Sequence, residues 1–112
     1  MKIVITATKP QTDALVDPRF GRAQYFILME AETQQWEAFE NPAIAQSGGA
    51  GVAAAQFIID KHVDAVISGD FGPNASRALG GADIKMFLFS PEVDTVQSAI
   101  DLFKQDKLQQ FK

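Results

Sequence analysis

Residues 47–82 read SGGAGVAAAQFIIDKHVDAVISGDFGPNASRALGGA, and their order decides the fold: a glycine turn, a helix, a short apolar strand, and a second glycine turn. Glycine at the head of a helix leaves bare backbone N–H groups where the helix dipole is positive. Two such heads on one side of a sheet therefore make an anion site. The first turn is Gly48, Gly49, Ala50 and Gly51. The second runs from Gly69 through Asp70, Phe71 and Gly72 to Pro73 and Asn74. The helix between them is expected over about 51–61, with Val52, Ala55, Ile58 and Ile59 on its packed face and Gln56 and Asp60 opposite. His62 stands where a left-handed cap would close it.

Outward from this centre, residues 64–68 are short, apolar and bounded by polar residues, as in a central parallel strand. Pro73 opens a second helix that Gly80 and Gly81 end. A buried strand follows over 84–89, broken at Ser90 and Pro91. Asp94 with Gln97 three residues later predicts a capping box for a last helix, which carries Val96, Ala99, Ile100 and Phe103 at helical spacing. Upstream, Ile3, Val4 and Ile5 mark a first buried strand over 2–7. A loop over 8–20 leads to a strand over 24–30, and a turn over 31–34 leads to an edge strand over 35–40 containing Trp36. The tail over 106–112 returns to the surface, with Leu108 and Phe111 as anchors.

Strand, strand, strand, helix, strand, helix, strand, helix is an antiparallel hairpin unit followed by parallel crossovers. Right-handed crossovers give a five-stranded mixed sheet of order 3-2-1-4-5 with about three helices packed on it, an α/β ribonuclease-H-like arrangement. Ligands in such sheets gather outside the carboxyl ends of the parallel strands. The loop after the first strand and both glycine turns belong to that end.

Composition limits the chemistry. The 112 residues suit one domain spanning 1–112, with 46% hydrophobic and 21% charged residues. There is no cysteine and a single histidine, which excludes disulfides, thiolate catalysis and protein-ligated iron–sulfur centres, and argues against a metal held by side chains. A net charge of −4 without a basic cluster argues against nucleic acid. No apolar run approaches membrane-spanning length, and the first residues do not form a secretory signal, so a cytoplasmic protein is expected.

Enzyme chemistry is not expected. A ribonuclease-H-type nuclease needs a carboxylate in the first strand, and KIVITA has none. No P-loop lysine accompanies the glycine turns, and Asp70, the one acid within them, suits the orienting of a turn or an arginine. Arg19 and Arg22, set around Phe20 and Gly21, either supply charge to an anion pocket, with Lys9 beside them and Phe20, Tyr25 and Phe71 as shields, or pair with Asp17 and Asp13.

Taken together, the block from Val16 to Phe26 (VDPRFGRAQYF), then Glu40, Asn41 and Pro42, then Gly49 to Gly51, then Val66 to Gly69 and Gly72 to Ala75 resembles the dinitrogenase iron–molybdenum cofactor biosynthesis family across nearly the whole chain. The resemblance implies a non-enzymatic carrier or scaffold for an anionic molybdenum- or iron-containing sulfide cluster, with copper a further metal. It also implies a cofactor-assembly or acceptor protein as partner, and a monomer or weak dimer. Many members carry a histidine before the phenylalanine-glycine-arginine block, where this chain has Arg19. A cluster here is therefore expected to be held non-covalently by Arg19, Phe20, Gly21, Arg22, Gly48, Gly49, Ala50, Gly51, Gly69, Gly72 and Asn74. Two further readings of the same turns are an interaction domain without a cluster and a small phosphate- or nucleotide-binding protein.

Overall fold

Ile3, Val4 and Ile5 are all buried because the strand that carries them is covered on both faces, and side chains along a strand alternate between faces. The elements are β1 (Lys2–Ala7), β2 (Tyr25–Glu30), β3 (Trp36–Glu40), α1 (Ala50–Ile59), β4 (Ala65–Ser68), α2 (Pro73–Gly81), β5 (Lys85–Leu88), α3 (Val96–Lys104) and β6 (Gln109–Gln110). They are taken from a computed structural model that describes residues 1–46, 48–90 and 92–111. Ser47, the first residue of the opening stretch, the expected break at Pro91, and Lys112 at the end of the tail lie outside the described residues.

The strands form one mixed sheet of order β3-β2-β1-β4-β5-β6. Its first five strands have the expected order, with β1 antiparallel to β2 and parallel to β4. The sixth is an addition from the tail. Gln109 and Gln110 pair antiparallel with β5, and the Phe111 N–H donates to the Met86 carbonyl at 2.8 Å.

One core layer, between the sheet and α1 with α2, gathers Val4, Phe20, Phe26, Ala54, Ile58, Val66 and Leu79. The other lies between the sheet and α3 and gathers Ile3, Ile5, Ile27, Met29, Ile67, Val96 and Ile100. Each fully buried aliphatic of this size contributes about 1.5–3 kcal/mol relative to exposure.

Two local expectations need correction. The packed face of α1 is Ala50, Ala54, Ala55 and Ile58, and Val52 is exposed, because small residues at the first turns let the helix lie close on its neighbours. The capping box of α3 is one residue later than read. Thr95 Oγ1 accepts from the Ser98 N–H and Ser98 Oγ accepts from the Thr95 N–H, both at 3.1 Å. α2 ends at Gly81, as expected, and the left-handed residue after it is Asp83, at φ 60°. His62 takes the left-handed conformation expected after α1, at φ 57°, and the 31–34 turn closes through left-handed Gln34.

Candidate functional site

The loop between β1 and β2 crosses the carboxyl end of the sheet, and buried polar groups fix its course. Thr6, at the end of β1, donates from Oγ1 to the Asp17 carbonyl at 2.6 Å and lies 3.2 Å from Ser68 Oγ at the end of β4. The Asp17 side chain is itself buried. Its Oδ1 accepts from the Arg19 N–H at 3.1 Å and from Arg19 Nε at 3.2 Å, and its Oδ2 accepts from Arg19 Nη2 at 3.3 Å and the Gln24 N–H at 3.3 Å. The hydrogen bonds and charge of Asp17, with a smaller share from the charge of Asp70, hold the Arg19 guanidinium above its already high ordinary pKa. Arg19 is thus a fork closed on an internal carboxylate, and its positive charge is compensated within the loop.

Further along, Asp70 Oδ1 accepts the Phe20 N–H at 3.2 Å, the turn-orienting role its position suggested. The Phe20 ring points inward, between Phe26 at 5.8 Å and Phe71 at 5.4 Å. Phe20 and Phe71 are core side chains and do not shield an external ligand. Asn41, buried just after β3, donates from Nδ2 to the carbonyls of Gly21 at 2.9 Å and Ala23 at 3.0 Å, and accepts from the Ala43 N–H at 2.9 Å. Asparagine, with two donors and an acceptor on one short side chain, satisfies three backbone groups at once. Its role was legible only as a strand end.

The glycines divide into two kinds. A side chain at Gly21 would meet the Gly51 backbone at 3.0 Å, and one at Gly69 would meet Pro18 O at 2.6 Å and Pro18 Cα at 2.7 Å. These two exist for close chain-to-chain approach. Gly48 and Gly72 face open space, and Gly49 takes φ 71°, which glycine adopts without strain, as the N-cap of α1.

The heads of α1 and α2 adjoin. A Cβ built on Gly51 stands 3.4 Å from that of Ala75, and among the described residues neither helix has a side-chain cap. Arg22 Nη1 donates to the Ile44 carbonyl at 3.3 Å and to that of Gln46, just before the first glycine turn. Arg77, which the sequence reading missed, reaches back along α2 and donates to Asn74 Oδ1 at 3.3 Å. Its signal was its spacing three residues after Asn74, since helical side chains point toward the N-terminus. Among the described residues neither Arg22 nor Arg77 forms a salt bridge.

On the α3 side of the same sheet end, a groove of about 530 Å³ is lined by Val16, Pro18, Gly69, Phe89, Ser90 and Val93. Its β5–α3 wall was not foreseen, because nothing in Phe89, Ser90 and Val93 distinguishes a groove wall from an ordinary loop. Among the described residues no group of three or more His, Cys, Asp or Glu side chains converges to bind a metal, and no helix is long and apolar enough to cross a membrane.

A family model described as dinitrogenase iron-molybdenum cofactor matches residues 1–106. An uncharacterised protein of Methanocaldococcus jannaschii is 28% identical over 115 residues, covering 100% of this chain and 92% of the relative. Among solved structures, the apo form of the orange protein from Desulfovibrio gigas is 34% identical and superposes with a TM-score of 0.91 over 98% of this chain and 92% of its own. A Thermotoga protein described provisionally as NifB, of the DUF35 family, is also 34% identical, with a TM-score of 0.84 over 97% and 91% of the two chains.

Proposed function

Since the chain belongs to the dinitrogenase iron-molybdenum cofactor family, we propose that it is a non-enzymatic carrier or scaffold for an anionic metal–sulfide cluster or its precursor, containing molybdenum or iron. The observation that supports this reading is the junction of two helix heads at Gly51 and Ala75, without side-chain caps among the described residues, with Arg22 bonded to the Gln46 carbonyl before the first turn and Arg77 to Asn74 in the second, neither charge met by a carboxylate among those residues.

An anion held there receives backbone N–H groups from the turns at Gly48 to Gly51 and Gly72 to Asn74, and guanidinium N–H groups from Arg22 and Arg77. All of these contacts are outer-sphere. The absence of cysteine rules out thiolate ligation, and a sulfide-faced anion accepts hydrogen bonds without any metal–protein bond. Arg19 has a different part: its charge is closed on Asp17 inside the loop, so it adds none to the anion site. The acidic total charge is no obstacle, since an ion responds to the local field. The cargo would be handed to a cofactor-assembly or acceptor protein, and contacts of this kind release it without breaking a coordinate bond.

The test is uptake. Protein mixed anaerobically with tetrathiomolybdate and copper or iron, then desalted, is expected to retain molybdenum and show a charge-transfer band. Absence of both after desalting would defeat the proposal. A thermal-shift series with nucleotides and inorganic phosphate separates this from a phosphate-binding role, for which stabilisation by those ligands and none by thiomolybdate is the signature.

A further inference from the structure

The sheet has a long free edge in β3, at the opposite end of the strand order from β6. β3 pairs with β2 from Trp36 opposite Met29 to Glu40 opposite Tyr25, without a bulge. The Glu30 N–H donates to the Gln35 carbonyl and the Asn41 N–H to the Gln24 carbonyl. In an antiparallel ladder hydrogen-bonded pairs alternate, so Glu37 and Phe39 turn their backbone groups toward β2. Trp36, Ala38 and Glu40 turn theirs outward, and among the described residues no donor or acceptor meets them. Free edges of this kind invite another strand unless something blocks it.

This edge carries neither proline nor a bulge. It carries two exposed carboxylates, Glu37 and Glu40, that enter no salt bridge among the described residues, and Trp36, which is 42% exposed. Glu30 and Glu32 nearby are both engaged by the Met1 amino group at 2.8 Å. The cations on this side are Lys2, in the hollow beside Trp36 and Glu37, and Lys61, whose Nζ sits 4.2 Å from the Phe39 ring centre.

A second copy is a poor occupant. Centred on Ala38 it sets each Glu37 diagonal to its counterpart, and centred on Glu37 it sets the two face to face, where like charges repel. A basic residue set opposite Glu37 or Glu40 has the opposite sign of interaction.

We propose that β3 accepts, by strand addition, an extended segment of a partner protein with lysine or arginine three residues apart. That spacing follows from the edge: Glu37 and Glu40 are three residues apart and on opposite faces of the sheet, so an added strand meets both only with basic residues at the same interval. The two residues between face Ala38 and Phe39 and are best β-branched. A further cation opposite Trp36 lies over an indole.

The probe is a capped peptide, Thr-Lys-Val-Val-Lys-Thr, which reads the same in either direction, with Thr-Glu-Val-Val-Glu-Thr as its control. The basic peptide is expected to shift the amide resonances of Trp36, Ala38 and Glu40 and slow their hydrogen exchange, with binding about tenfold weaker at high salt. The acidic one should leave them unchanged. Ala38→Pro removes an outward N–H and no ladder bond to β2, and should abolish the response. Should that variant fold poorly, Glu37→Lys combined with Glu40→Lys should reverse the preference to the acidic peptide. Equal response to both peptides, no response to either, or protection of the same amides by self-association would overturn the proposal.

Discussion

Gly69 and Gly48 look alike in the sequence, each a glycine in a turn at the carboxyl end of the sheet, yet their surroundings differ. At Gly69 a methyl group would lie 2.6 Å from Pro18 O and 2.7 Å from Pro18 Cα, whereas at Gly48 nothing stands within 4 Å. Gly69→Ala should therefore cost about 1–3 kcal/mol in urea unfolding, through forced displacement of the loop, and Gly48→Ala should be neutral to within about 0.5 kcal/mol. Equal effects would show that the approach of Pro18 is not what requires glycine. Asn41→Ala unfastens the carbonyls of Gly21 and Ala23 and the Ala43 N–H, and should cost about 2–4 kcal/mol by the same measurement. The sequence made these residues visible without showing what each one touches. Arg19 and Arg22 were equally suited to an ion pair or a ligand, and only the placement of Asp17 separates them, giving Arg19 a carboxylate and Arg22 carbonyls.

At the scale of the elements, the strands and helices were legible because their apolar runs and glycine or proline boundaries agree. Their exact ends were not. Before α3 two residues in succession are good caps: Asp94 with Gln97, or Thr95 with Ser98. The backbone chooses the second, because the Asp94 carbonyl is tied to the Val16 N–H at 2.9 Å and the Val96 N–H to the Ala14 carbonyl at 3.0 Å, which set where the helix begins. Thr95→Ala should lower the melting stability by about 1 kcal/mol, and Asp94→Ala by much less. The reverse order would put the cap back at Asp94. β6 escaped the sequence reading because two glutamines carry neither alternation nor burial. It exists because Phe111, 5.3 Å from the Phe71 ring, draws the tail against β5.

On the scale of the whole molecule, strand order and the end of the sheet where loops collect followed from topology rules, since right-handed crossovers leave little choice. The distribution of charge across that end did not follow. Asp17 neutralises Arg19 inside the loop, while Arg22 and Arg77 meet carbonyl and amide oxygens and no carboxylate among the described residues. The carboxylates on β3 occupy the opposite edge of the sheet from β6. The most direct measurement is molybdenum retained after desalting of anaerobic protein treated with tetrathiomolybdate and copper, compared with the Arg22→Gln, Arg77→Gln double variant and with Arg19→Gln. Circular dichroism checks that each is folded. Retention by the parent chain and by Arg19→Gln, with loss of about tenfold or more in the double variant, is the result this account predicts. Absence of retention in the parent chain, or equal retention in the double variant, would contradict it.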